Sequence, residues 1–333
     1  MTEAPIFIVG HPRSGTTLLR DLLRSHPRLS FPAESHFIPK FYRQFGDPQT
    51  DQEAIRLAKR ILNLIWVQRW QLSITPETLA PCRSFREIVN MLFQDWASKD
   101  SKPRWGDKTP QYVTELPTLQ TIFPDGKFIH IYRDGRDVAL SWLRHPLGSE
   151  NLYASIESWK RSVEIGCHDG ANLPKENYLE IQYEALLDDP PKNLKQICEF
   201  INEQYSDDLL KATRLHTSLP LGAPRKKYAK ESLGNSESIA SHNSDKWIKG
   251  MSVMEQQRSE YLAGELLNQL NYRTMGERRT VPTWQQVMWK IHDAFHRYFR
   301  HIKRIHHYRW VHTHINLKWM ELRQSISNRL RSR

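Results

Sequence analysis

One short run constrains this chain more than any other. Ile6-Phe7-Ile8-Val9 is an apolar stretch of strand character, and it leads straight into Gly10-His11-Pro12-Arg13-Ser14-Gly15-Thr16-Thr17 and then an amphipathic pattern of helical period. A strand that ends at one glycine and turns through another into a helix points backbone N–H groups and a helix N-terminus at one spot, which is an anion site before side chains are counted. The glycine spacing matches a G-x-x-x-x-G-K-[S/T] phosphate loop, but Thr16 stands in the lysine slot and the basic residue, Arg13, has moved inside the loop. Ser14, Gly15, Thr16 and Thr17 offer N–H and hydroxyl donors, and Arg13 adds a planar, permanently charged fork. The plainer alternative is a glycine turn with an exposed arginine.

Along the chain, strand patterns at residues 5–10, 127–132 and 177–182 alternate with helical patterns near 16–26, 51–72, 84–99, 111–122, 135–145, 153–167, 191–203, 206–215 and 252–270. Short apolar strands among amphipathic helices predict an α/β fold, a P-loop-type parallel sheet flanked by helices. A length of 333 residues with 39% hydrophobic content supports one such domain, taken as residues 1–275, followed by a helical tail at 281–333. The polar segment 225–246 lacks periodicity and reads as a long loop, a linker or a lid. Cys82, Cys167 and Cys198 are widely spaced and form no metal-ligand pattern, which predicts reduced thiols, no metal and a cytoplasmic setting. No signal peptide is expected, because the first strand starts almost at once.

The net charge of +11 is uneven. From Val281 onward eleven Lys and Arg face only Asp293 and Glu321, so the preceding 280 residues are close to neutral. That distribution argues against a nucleic-acid reader and for a near-neutral domain with a basic extension.

A second charged motif follows the strand pattern at 127–132. Arg133 falls at its C-terminal end, where open α/β sheets bind ligands, and Ser141 lies about two turns into the next helix. A nucleoside triphosphatase would need a loop lysine, whose slot Thr16 fills, and a lone aspartate at the strand end for magnesium, where this chain has "RDGRDVALS" instead. A P-loop kinase or nucleotide-binding module is therefore the alternative, not the leading reading. By itself "RDGRD" also fits a charged helix cap.

Taken together, "FIVGHPRSGTTLLRDLLRSHPRL" and "FPDGKFIHIYRDGRDVALS" resemble the 5′-phosphosulfate loop and 3′-phosphate segment of sulfotransferases that use 3′-phosphoadenosine-5′-phosphosulfate (PAPS), and most of all the branch of tyrosylprotein, carbohydrate and related bacterial enzymes. The resemblance implies that Arg13, Ser14, Gly15, Thr16, Thr17, Arg133 and Ser141 hold the co-substrate. Glu34, 21 residues after Arg13, stands where the family keeps its catalytic carboxylate, and Lys108 in "GDKTP" matches a lysine that contacts the transferring group. Tyr183 in "IQYEALLDDP" and Lys246 in "NSDKWIKG" resemble later cofactor contacts. The family's chemistry is in-line sulfuryl transfer to a hydroxyl, for which Arg13 and Lys108 would stabilise charge without metal and Glu34 would take the acceptor's proton. His36 is the rival base, since cytosolic small-molecule sulfotransferases use a histidine. His11 is expected to be solvent-facing or to sit behind the loop. The acceptor stays open among tyrosyl, saccharide, lipid-linked glycan and small alcohol, with its specificity expected in residues 40–105 and 216–245.

The tail repeats apolar residues at Trp284, Met288, Ile291, Phe295, Tyr298, Ile302 and Ile305, spacings of four and three that mark one helix face, with basic residues elsewhere. Such an amphipathic helix packs on its own domain, pairs with a second subunit as a homodimer, or lies on an anionic membrane, which would make the protein peripheral at the inner membrane surface. A nucleic-acid arm fits least, because phosphate contacts do not require the apolar spacing.

Overall fold

In a computed structural model, the structure describes residues 3–145, 151–214, 244–276 and 279–296. Five strands form one parallel sheet: β1 (Ile6–Val9), β2 (Leu29–Ser30), β3 (Arg104–Lys108), β4 (Lys127–Tyr132) and β5 (Tyr178–Gln182), in the order β2-β3-β1-β4-β5. Helices α1 (Thr16–Arg24), α2 (Ile38–Phe45), α3 (Asp51–Leu62), α4 (Ile65–Gln68), α5 (Phe85–Lys99), α6 (Leu116–Ile122), α7 (Gly135–Leu143), α8 (Leu152–Ala171), α9 (Tyr183–Asp188) and α10 (Pro190–Phe200) connect and cover it. The expected α/β architecture is present.

The apolar strands follow from burial on both faces. In β1, Phe7 and Val9 enter a cluster with Phe85, Ile88, Leu92 and Phe128, while Ile6 and Ile8 enter another with Leu19, Leu22, Ile131 and Leu194. A strand covered on both sides has no polar face to alternate, so it reads as a continuous apolar run. β3 breaks that rule. All five of its residues are buried, yet Arg104, Asp107 and Lys108 are charged. Arg104 is satisfied by the carbonyls of Ala4 (2.8 Å) and Ile201 (2.5 Å) and by Glu203 at 3.0 Å.

Some expected helices are shorter or divided. The pattern at 51–72 splits into α3 and α4 around Asn63-Leu64, that at 252–270 into Val253–Ala263 and Leu266–Gln269, and 206–215 is a 3-10 turn at Asp207–Arg214. The loop segment 225–243 and most of the tail lie outside the described residues. Among the described residues no helix is long and apolar enough to cross a membrane.

Candidate active site

Parallel strands in one sheet put all their carboxyl ends on one edge, and here each strand delivers a candidate residue to it. β1 runs into the loop holding Arg13, β2 is followed by Glu34, β3 ends on Lys108, β4 is followed by Arg133, and β5 by Tyr183. The register sets Ile8 beside both Lys108 and Ile129. Convergence at this edge is the arrangement by which open α/β sheets build ligand sites.

The loop is shaped by close approach. Gly15 has a φ of 95°, and a Cβ there would lie 2.2 Å from the ring of Tyr183; one on Gly10 would lie 2.2 Å from the Ile131 carbonyl oxygen. Arg13 itself takes a positive φ of 77°. This turns its side chain toward α7, where Nε donates to Ser141 Oγ at 2.9 Å. Thr16 and Thr17 open α1, and Ser14 Oγ is buried without a hydrogen-bond partner among the described residues. A buried hydroxyl without a partner costs about 1–3 kcal/mol, and an oxyanion seated on the helix N-terminus would recover it. The loop thus fits a phosphate-like group.

His11 is buried, not solvent-facing. Its Nδ1 donates to the Pro12 carbonyl at 2.7 Å and its Nε2 lies 3.1 Å from Ser158 Oγ, and burial pushes its pKa down to about 4. It is a neutral strut tying the loop to α8.

On the other side of the edge, Lys108 Nζ donates to Glu34 Oε1 and His36 Nε2 lies 3.0 Å from Glu34 Oε2. Burial raises the Glu34 pKa, but the His36 hydrogen bond and the Lys108 charge outweigh it and hold the carboxyl at about 2. Burial in turn depresses the Lys108 ammonium, against the pull of Glu34. His36 takes a positive φ of 55° and meets Trp66 edge-on at 6.1 Å. The glutamate and its rival histidine therefore form one pair.

What fixes this pair has no signature in the sequence motifs. Ser35 N donates to Thr109 Oγ1 at 3.1 Å, Ser35 Oγ lies 2.9 Å from the Tyr112 hydroxyl, and Ile38 N donates to that hydroxyl at 2.9 Å. The segment after Lys108 thus clamps the segment carrying Glu34. Asp107 lies fully buried beside them, and burial lifts its carboxyl to about 6.

The "RDGRD" motif divides into two roles. Arg133 ion-pairs with Asp137 at 2.9 Å and lies over the Tyr183 ring at 4.7 Å, so Tyr183 touches both Gly15 and Arg133. Arg136 instead points into the core, where it meets Asp134, Glu260 and the Arg273 carbonyl and stacks at 3.5 Å on Trp247. Trp247 N also donates to Asp137 Oδ1 at 2.8 Å, which anchors the neighbouring Lys246 at the start of its helix. Ser141 joins the site through Arg13.

Among the described residues cysteine and histidine do meet in space, which their spacing does not signal. Ligand atoms of His130, Cys167 and Glu180 come within 4.8 Å of one another. The Tyr178 hydroxyl lies 2.8 Å from His130 Nδ1 and 2.9 Å from Glu180 Oε1, so this group already forms a hydrogen-bonded cluster.

Residues 5–207 match the family described as "Sulfotransferase family". Curated relatives include protein-tyrosine sulfotransferase A of Caenorhabditis elegans, 24% identical over 63% of this chain and 52% of that protein, and protein-tyrosine sulfotransferase 1 of Danio rerio, 27% identical over 62% and 55%. The chain spans about half the length of these two relatives. Among solved structures, the sulfotransferase domain from the curacin biosynthetic pathway shares the fold at a TM-score of 0.57 and 24% identity, over 82% of this chain and 99% of that one. The chain belongs to the sulfotransferase family.

Proposed function

We propose that the protein moves a sulfuryl group from PAPS to a hydroxyl acceptor by in-line displacement, with Glu34 as general base. The observation that carries this reading is the gathering of Arg13, Glu34, Lys108, Arg133 and Tyr183 at one sheet edge, with Glu34 already held by Lys108. PAPS supplies the sulfuryl group and leaves as 3′,5′-adenosine bisphosphate. The Gly15–Thr17 turn and Ser14 hold the 5′-side oxyanions on the helix N-terminus, and Arg13 with Lys108 stabilises charge on the sulfuryl and leaving oxygens. Arg133, with Ser141 and Lys246, holds the 3′-phosphate, and Tyr183 keeps the two halves together. As Lys108 turns toward the sulfuryl oxygens it releases Glu34, whose basicity rises as its cationic partner withdraws. Glu34 then takes the acceptor proton while the acceptor oxygen bonds to sulfur and the bond from sulfur to the bridging oxygen breaks, that oxygen leaving on the 5′-phosphate. His36 stands next to Glu34 to pass that proton outward.

The names of the curated relatives support a tyrosyl acceptor, with saccharides and small alcohols as the other candidates. The free thiols of Cys82, Cys167 and Cys198 support a reducing, cytoplasmic setting. Incubation of the protein with sulfur-labelled PAPS and separate tyrosyl peptide, saccharide and alcohol acceptors tests the proposal. Label is expected in one acceptor class and not with Glu34→Gln; label transfer that Glu34→Gln leaves unchanged removes the assigned base.

A further inference from the structure

We propose that the helix of residues 283–296 docks the protein on an anionic lipid surface. The helix is held to the body by one face. Trp289 packs against Tyr153 at 5.4 Å, its carbonyl accepts from Asn151 Nδ2 at 3.1 Å, Asp293 is buried, and Gln286 donates to the Val281 carbonyl at 2.8 Å. The opposite face carries Trp284, Val287, Met288, Ile291 and Phe295, each between 48% and 69% exposed. A stripe of five large apolar side chains on one helix is far from the scattered single exposures that ordinary surfaces show. The apolar spacing expected to pack a helix on its own domain is therefore real, but among the described residues its apolar side points to solvent.

Charge decides the occupant. The sequence from residue 297 onward adds ten Lys and Arg against one acid, Glu321. A second copy would add the same excess of positive charge to the assembly, which like-charge repulsion opposes. An anionic bilayer instead takes Trp, Ile and Phe at the headgroup boundary and attracts a chain whose sequence carries this basic excess. Lys290 on the described helix lies on the body side, its ammonium over the Tyr153 ring at 5.9 Å.

The full-length protein is mixed with vesicles of phosphatidylcholine alone and of phosphatidylcholine with an equal share of phosphatidylglycerol, at low and high salt, and sedimented. Binding is expected only to the anionic vesicles, weakened at high salt as the Debye length shortens, and at least tenfold lower for Trp284→Gln/Ile291→Gln/Phe295→Gln. Val287→Gln/Met288→Gln provides an independent variant of the same face, and binding of the bisphosphate by each variant reports that it is folded. Equal binding to neutral vesicles, no binding to either, or binding untouched by both variants overturns the proposal. So does a lipid-free mass of a dimer that reverts to monomer in the variants, which assigns the stripe to a second copy.

Discussion

Arg13 Nε donates to Ser141 Oγ at 2.9 Å, joining residues 128 apart in sequence. The loop after β1 and the helix after β4 are thereby tied together, with the Arg13 side chain held in place. Arg13→Ala removes charge-assisted bonds of about 1.5–3 kcal/mol each, so the affinity for 3′,5′-adenosine bisphosphate is expected to fall between tenfold and several hundredfold. Ser141→Ala removes one donor and the orientation of Arg13, for a smaller loss of about three- to tenfold. Calorimetric titration of both variants checks the ranking.

Glu34 supports a test that separates binding from chemistry. Glu34→Gln keeps shape and should leave bisphosphate affinity within about twofold while lowering kcat by about 10²–10⁴, the usual contribution of a positioned base. Steady-state kinetics beside a binding titration measures the split.

The same carboxyl predicts a pH dependence of stability. Its folded pKa, about 2, lies below the ordinary 4.5, so its contribution is complete above about pH 4.5 and is lost as pH falls through about 2. At neutral pH Glu34→Gln leaves the buried Lys108 without its carboxylate and is less stable than wild type. That gap should narrow steadily from about pH 5 to pH 2, as urea unfolding at several pH values would record.

Gly15 is required twice, by its φ of 95° and by the Tyr183 ring against it. Gly15→Ala should cost about 1–3 kcal/mol from strain, with further loss from displacing Tyr183 and thus Arg133. Gly46 is the control: its φ is 60° but nothing lies within 4 Å of where a Cβ would stand, so Gly46→Ala carries backbone strain alone. Thermal unfolding should rank Gly15→Ala clearly below Gly46→Ala, and only Gly15→Ala should lose bisphosphate binding.

Arg133 and Arg136 should fail differently. Arg136→Met strands Asp134 and Glu260 in the core; breaking a buried pair costs about 3–5 kcal/mol, which at about 2–4 °C per kcal/mol lowers Tm by roughly 10 °C. Arg133→Ala leaves Asp137 its bond from Trp247 N and should cost less stability but most of the bisphosphate affinity. Differential scanning calorimetry with and without the bisphosphate distinguishes them.

This pair of arginines also marks how far the sequence is legible. β1 and β4 are legible because burial on both faces favours apolar runs, and β5, an edge strand in which Ile181 alone is buried, through Tyr178, Leu179 and Ile181. β2, with two residues, is too short for any period, and β3 hides its burial behind Arg104, Asp107 and Lys108, whose partners lie up to 100 residues away. Lys108 and Glu34 stand out only through family resemblance, since no local pattern predicts an ion pair across 74 residues. Its place at the strand end singles out Arg133, but the core role of Arg136 has no local signal, because it depends on Glu260 and Trp247. The tail's spacing is legible, but its outward side is not, since that depends on where Tyr153 and Asn151 receive Trp289.

The most direct test of the central claim is a calorimetric titration of the protein with 3′,5′-adenosine bisphosphate in the presence of a chelator, beside one with ATP and magnesium. Tight binding of the bisphosphate and weak binding of ATP is the predicted result. Preference for ATP with magnesium would contradict the account and place the Arg13 loop with kinase-like nucleotide sites.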